Sequence, residues 1–199
     1  MNNLLYRQML DILLTFDGED GLQASSKNEI YGCVFGRDSA ITILKILSAA
    51  NKKGISDFSS LLQISKKTLL TLSRLQGKEY NPESGEQIGK CIHEFRKSKY
   101  DHLLAEKKPW YLYPDRTIRN YDSIDSTPLF LIAVYKYYTL TKDEDFLKNI
   151  LPSVKLGLEW ILYHSDVDGD YLLEYESVAK VIDDDYCFGI VDDDDRQRA

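Results

Sequence analysis

Apolar residues recur at helical spacing in five stretches of the chain, and no stretch sustains the strict alternation of a half-buried strand. The pattern therefore predicts a mostly helical protein. The first stretch, from about Asn3 to Phe16, puts Leu4, Leu5, Met9, Ile12, Leu13 and Phe16 on one broad stripe, and a Gly-, Asp- and Ser-rich run from Asp17 to Asn28 breaks it. The second opens at Asp38 or Ser39, carries Ile41, Leu44, Ile46 and Leu47, and stops at Asn51-Lys52-Lys53-Gly54, where basic residues and a glycine suit a helix carboxyl end. The third follows the capping pair Ser56-Asp57 and places Phe58, Leu61, Leu62, Ile64, Leu69, Leu70, Leu72 and Leu75 before Gly77. The short connection through Gly54 predicts that these two helices form an antiparallel hairpin.

From Gly77 to Tyr121 the periodicity dissolves into a long segment containing Pro82, Gly85, Gly89, Pro109 and Pro114. A compact domain seldom keeps so long an irregular connection unless it walls a binding site. Helix resumes at Asp125-Ser126-Thr127-Pro128, where Asp or Ser can cap and Pro suits the first turn, and continues through Leu129, Phe130, Ile132, Ala133, Tyr135 and Tyr137 to Thr141. The fifth stretch, Glu144 to His164, is expected to break near Pro152 and carries Leu156, Leu158, Trp160, Ile161 and Leu162. An acidic turn leading into a short hairpin, and then an acidic tail, close the chain.

At 199 residues, 43% hydrophobic and 29% charged, the chain can bury a substantial core and reads as one domain or a piece of one. A formal net charge of -7 argues against a nucleic-acid backbone as partner, because neutralising phosphates requires clustered Lys and Arg. No apolar run reaches the roughly 18 residues of a membrane span. The start lacks a basic region followed by an unbroken apolar stretch, so a cytoplasmic location is expected. Cys33, Cys91 and Cys187 are odd in number and widely spaced, which indicates neither a disulfide framework nor a CxxC metal site. The 14 tyrosines suit both helix packing and stacking beneath sugars.

Four polar clusters punctuate this pattern. In Phe35-Gly36-Arg37-Asp38-Ser39 a guanidinium with five donors stands beside a carboxylate at a helix start. That combination suits a hydroxyl-rich ligand, although Asp38 can equally serve as a cap. Cys91-Ile92-His93-Glu94-Phe95-Arg96 sets an imidazole beside a carboxylate, a pair able to polarise a hydroxyl or to sit in a solvated loop. Tyr121-Asp122-Ser123-Ile124-Asp125-Ser126-Thr127-Pro128 carries more carboxylates and hydroxyls than helix capping uses. Asp166-Val167-Asp168-Gly169-Asp170 begins like a calcium loop, but Tyr171 stands where the EF-hand form requires Gly, and Ser177 where it requires Glu. A tight acidic turn accounts for it better.

Taken in order, the stretches Phe35 to Ser39, Ile92 to Arg96, Tyr121 to Leu131 and Trp160-Ile161 followed by Asp168-Gly169-Asp170-Tyr171 resemble the glycogen-debranching, amylo-alpha-1,6-glucosidase family and its glucoamylase-like relatives, the six-hairpin glycosidases. The resemblance implies an all-α fold, a partial (α/α)6 toroid comprising about the first half of the ring over residues 1–176, with 177–199 as an acidic tail. It further implies inverting hydrolysis of terminal α-1,6 or α-1,4 glucosyl bonds in a glycogen- or starch-like glucan, without metal or cofactor. On that reading Arg37 and Asp38 grip the terminal glucose, and His93, Glu94, Asp125 and Thr127 line the same pocket. Relatives carry the general acid in a Trp-Lys-Asp-Ser-like string; here Ser177-Val178-Ala179-Lys180-Val181-Ile182-Asp183-Asp184-Asp185-Tyr186 offers no equivalent, and no base is assigned either. The chain is thus expected to be incomplete and inactive alone, either truncated near Ser177 or associating with another copy through exposed helix faces. Two alternatives stand beside this one: a non-catalytic carbohydrate-binding or helical interaction module, and an enzyme of another toroidal class such as a sugar epimerase.

Overall fold

A computed structural model describes residues 3–26, 28–54, 58–166 and 168–174. The capping pair Ser56-Asp57, the stretch from Ser177 onward and the domain boundary placed at 176 lie outside them. The order of elements is α1 (Asn3–Thr15), β1 (Asp17–Gly18), β2 (Gly21–Leu22), β3 (Val34–Phe35), α2 (Gly36–Lys53), α3 (Ser59–Arg74), β4 (Glu94–Arg96), α4 (Asp101–Leu104), β5 (Ile118–Asn120), α5 (Ser126–Thr141) and α6 (Glu144–Glu159), with a π turn over Trp160–His164.

The expected all-α partial toroid is overturned. Among the described residues the structure is mixed, six helices with two small antiparallel sheets, about 52% of those residues helical and 9% in strands. One sheet is the hairpin β1-β2; the other has the order β3-β4-β5, with Phe35 opposite Glu94 and Glu94 opposite Asn120. The cause lies in the segment from Gly77 to Tyr121, which reads as irregular in sequence. Its buried peptide groups still require partners, and β4 and β5 supply them by pairing with each other and with β3. Strands of two or three residues are too short to show an alternation that a sequence can reveal.

The helices follow their apolar faces. In α3, Leu61, Leu62, Ile64, Leu69 and Leu72 are buried on a continuous stripe. Ser65 and Thr68 share that stripe because their hydroxyls donate to the carbonyls of Leu61 and Ile64, four residues back, at 2.7 and 2.8 Å. The Thr68 hydroxyl also accepts from the Leu22 N–H at 3.0 Å, which ties the β1-β2 hairpin to α3. Helix α2 opens at Gly36, two residues earlier than expected, buries Ala40, Ile43, Ile46, Leu47 and Ala50, and packs most extensively against α5. It ends at Gly54, whose N–H reaches the Ala50 carbonyl at 3.0 Å with φ at 112°, a conformation open to glycine.

Two further expectations are corrected. Along and just after α1, Met9 and Ile12 are exposed while Leu10, Leu13 and Phe16 pack on the core, so two residues of the expected stripe face solvent. Helix α6 runs unbroken through Pro152. Its amino end is capped by Asp143, which accepts from the Phe146 N–H at 2.9 Å, and it passes into the π turn at Trp160. The Trp160 ring is fully buried, and its Nε1 donates to Gln87 Oε1 at 2.7 Å, pinning the long segment to the end of α6. Residues 168–174 contain no strand, so the expected acidic hairpin is a run of bends as far as it is described. Among the described residues no helix is long and apolar enough to cross a membrane.

Close approach of α2 to the sheet depends on the missing side chain at Gly36. A Cβ there would lie 2.0 Å from the Ile92 carbonyl oxygen, a backbone atom with little room to yield. Gly36→Ala is expected to cost about 2 kcal/mol or more, within or above the usual range for overpacking, measured by urea unfolding. A loss below about 0.5 kcal/mol, the scale of ordinary surface substitutions, would show that the contact is not tight.

Candidate functional site

The polar cluster of interest, called the mouth below, forms at the surface where α2, α5 and the three-stranded sheet meet. Gly36 at the head of α2 donates its N–H to the His93 carbonyl at 2.9 Å, and His93 donates its own N–H to the Asn120 carbonyl at 2.7 Å. These bonds extend the β3-β4-β5 ladder by one residue and seat Arg37 and Asp38 next to His93. Phe35 precedes the helix without a side-chain cap bond, so the strand carbonyl satisfies the first helical N–H. Asp38 lies in the first turn, where the helix dipole favours a carboxylate.

Asp125 arrives from α5. It occupies the N-cap position but makes no side-chain cap bond. Ser123 takes over the capping, since its hydroxyl accepts from the Ser126 N–H at 3.2 Å and donates to Asp125 Oδ1 at 2.7 Å. The other Asp125 oxygen is left facing Arg37, 3.6 Å from a guanidinium nitrogen, while Asp38 lies 3.8 Å from Arg37 Nε. Both separations are long for charge-assisted hydrogen bonds, and all three side chains are partly exposed. Loose, half-exposed pairs of this kind contribute little to stability, about 0 to 1 kcal/mol. Their groups can turn toward a ligand at small cost.

His93 completes the mouth. Its ring packs edge-on against Phe35 at 5.5 Å between centroids, and its Nδ1 is buried without a hydrogen-bond partner among the described residues. Burial holds the imidazole below its ordinary value; Glu94, Asp122 and Asp38 push it back up, and Arg37 pushes it further down. The result is a neutral ring with an unused polar nitrogen, the kind of buried exception that calls for an explanation.

Two of the six residues expected to line a pocket are placed differently. Glu94 is buried in β4, where its carboxylate pairs with Arg96 and accepts from the Cys33 thiol at 3.7 Å. Arg96 in turn donates to the Ile30 carbonyl at 2.6 Å, so the pair stitches the sheet to the loop before β3. Thr127 is fully buried, and its hydroxyl accepts from the Cys91 N–H at 2.9 Å, fastening the start of α5 to the segment that leads through His93 into β4. Arg37, Asp38, His93 and Asp125 are brought together; Glu94 and Thr127 hold the frame behind them.

Asp122 and Lys90 belong to the neighbourhood, and sequence reasoning does not single them out. The Asp122 N–H is held by Asn120 Oδ1 at 2.7 Å, and its charge bears on both His93 and Lys90. The only signal is position, since Asp122 sits inside the third polar cluster and Lys90 immediately precedes the second.

Elsewhere, a groove of about 610 Å³ runs along α3 and offers Lys66, Lys67, Arg74 and Lys97. Each is paired with Asp143, Asp17, Asp20 or Glu19, so the groove carries no free excess of positive charge. At the acidic turn Asp166, Asp168 and Glu174 bring ligand atoms within 4.8 Å of one another, and Asp166 accepts from the N–H groups of Gly169 and Tyr171. Cys33 and Cys91 are buried thiols pushed up to about 12, chiefly by burial, and are unreactive on that account. No family model matches the chain, and no curated protein matches it at a significant level.

The burial of His93 has a measurable consequence. Its folded-state titration lies below the ordinary 6.5, so between those two pH values only the unfolded chain takes up the proton. Its contribution is present in full above 6.5 and is lost as the pH falls through the folded titration. Unfolding of the wild type and of His93→Gln from pH 8 to pH 5 is expected to show the wild type losing stability relative to the variant in the acid limb. A difference that stays flat would place His93 in solvent.

Proposed function

We propose that Arg37, Asp38, His93 and Asp125 bind the terminal glucosyl unit of a glycogen- or starch-like α-glucan, in the service of inverting hydrolysis of an α-1,6 or α-1,4 bond. The observation that carries this reading is the convergence of a half-exposed guanidinium, two half-exposed carboxylates and an imidazole with a buried, unused Nδ1. A sugar presents hydroxyls that both donate and accept. Carboxylates take their protons, Arg37 donates to their oxygens, and neutral His93 can do either according to its tautomer. A small hydroxyl-rich ligand also agrees with an acidic chain. The hydrolytic part rests on the resemblance of the four polar clusters to the glucosidase family. Inverting hydrolysis requires a carboxylic acid and a carboxylate roughly 6.5 to 9.5 Å apart, and neither role is assigned here.

The alternative of a non-catalytic carbohydrate-binding module is favoured by one observation. Glu94, the carboxylate next to His93 in sequence, is committed to Arg96 in the interior and is not free to deliver a proton.

Calorimetry with maltotriose and with a branched dextrin tests the binding reading. Arg37→Ala and Asp38→Ala are each expected to weaken binding about tenfold or more, equivalent to roughly 1.4 kcal/mol, with unchanged circular dichroism. Affinity indifferent to both substitutions would end the assignment. Release of glucose, with its anomer followed by NMR, separates the hydrolase from the module: β-glucose appearing first supports inversion, and binding without release supports the module.

A further inference from the structure

Helix α5 opens on a carboxylate that does not cap it. Asp125 holds the N-cap position and makes no side-chain cap bond. A capping carboxylate accepts from the backbone N–H two or three residues further on, and the second of those positions is Pro128, which has no N–H. Ser123, 3% exposed, caps the helix instead, its hydroxyl accepting from the Ser126 N–H at 3.2 Å.

The same hydroxyl has two more partners, Asp125 Oδ1 at 2.7 Å and the Ser126 hydroxyl at 2.8 Å. A serine hydroxyl carries one proton and two lone pairs. A carboxylate can only accept, so the Ser123 proton goes to Asp125, one lone pair takes the Ser126 N–H, and the other takes the Ser126 hydroxyl proton. The direction of the chain is thereby fixed, from Ser126 through Ser123 to Asp125, and every bonding position of the Ser123 oxygen is filled. Ser126 is fully buried against the head of α2, where a Cβ on Gly36 would stand 3.2 Å from its hydroxyl oxygen. The chain of hydroxyls thus starts at the junction of the two helix heads and ends on a side chain 40% exposed.

We propose that Ser123 is a positioning residue: its hydroxyl, backed by Ser126, anchors Oδ1 of Asp125 and so aims Oδ2 at the space beside Arg37, where it accepts the proton of a ligand hydroxyl. An exposed aspartate without such an anchor turns freely, because water replaces any partner it leaves. Asp125 leaves its orientation only by stripping the buried Ser123 hydroxyl of its acceptor, and a buried donor left unmade is costly. Oδ2 lies 3.6 Å from an Arg37 nitrogen, too far for a direct hydrogen bond. A ligand hydroxyl oxygen about 2.8 Å from both fits across that gap, accepting from the guanidinium and donating to the carboxylate. The loose ion pair opens for the ligand while the anchor on the other oxygen of the same carboxyl stays closed. The ligand part of this role rests on the glucan-site reading, whereas the anchoring does not.

Three-bond couplings from the Asp125 backbone to its side-chain carboxyl carbon, measured by NMR on the full chain without ligand, read the orientation. One dominant rotamer is expected in the wild type and an averaged set in Ser123→Ala. Averaging already present in the wild type, or a rotamer unmoved by Ser123→Ala, overturns the proposal. Should Ser123→Ala fail to fold, the near-isosteric Ser123→Cys, whose thiol is a weak donor, takes its place with the same expectation. Maltotriose affinity supplies the second readout. Ser123→Ala is expected to weaken binding about fivefold, the worth of one ordinary hydrogen bond, and to have no further effect in an Asp125→Ala background. A loss that persists in that background marks a helix start disturbed by missing capping and refutes the positioning role, as does undiminished affinity despite a loosened carboxyl. A rotamer that responds in a chain that does not bind maltotriose sinks the glucan site and upholds the anchor, while binding with an indifferent rotamer does the reverse.

Discussion

Two backbone hydrogen bonds, from Gly36 to His93 and from His93 to Asn120, hold together three parts of the chain that are distant in sequence. Everything at the mouth depends on them. A peptide group buried away from water must find a partner, and the first N–H of α2 finds it in the His93 carbonyl, one residue before β4, rather than in a cap. That choice aligns the head of the helix with the edge of the sheet and leaves no room for a side chain at residue 36. The bond between Thr127 and Cys91 brings the head of α5 to the same segment before β4. Two helix starts thus share one small sheet as their common base.

The polar groups around this base divide into two kinds. Glu94 with Arg96, and Thr127 with Cys91, are buried and mutually satisfied; removing one partner of a buried ion pair leaves a stranded charge at a cost of about 3 to 5 kcal/mol. Arg37, Asp38 and Asp125 are half exposed and loosely paired, so they hold the fold weakly and remain free to rearrange. His93 stands between the two kinds, with its backbone built into the sheet and its Nδ1 unused. A frame made costly to break and a rim made cheap to move suit a site that must be rigid in position and adaptable in contact.

The charge arrangement follows the same division. Arg37 has two carboxylates at the exposed end, and the charge of Asp122 bears on both the buried His93 and the buried Lys90. Desolvation at His93 and Lys90 favours their neutral forms, and the nearby acids oppose it. The protonation state of the imidazole is therefore a property of the neighbourhood as a whole, resting on its burial and on residues 37, 38, 94 and 122 together.

Helical periodicity was sufficient to locate α1, α2, α3, α5 and α6 within a few residues, because an apolar stripe repeated over four turns is a local property of the chain. Gly54 as the end of α2 was legible for the same reason. Pro152 misled, because a proline signals a break in an isolated helix, while packing of Phe146, Ile150, Gly157 and Trp160 on the core keeps α6 continuous. The strands were not legible: two or three residues carry no period, and β4 pairs with β3 and β5 only once distant segments meet. Local sequence also showed that Arg37, Asp38, His93 and Asp125 are polar groups at the margins of helices and irregular chain. Tertiary structure alone decided that these four gather, that Glu94 and Thr127 turn inward, and that Lys90 is buried. Which face of a strand or helix start a side chain occupies is fixed by partners tens of residues away, and no local pattern encodes that distance.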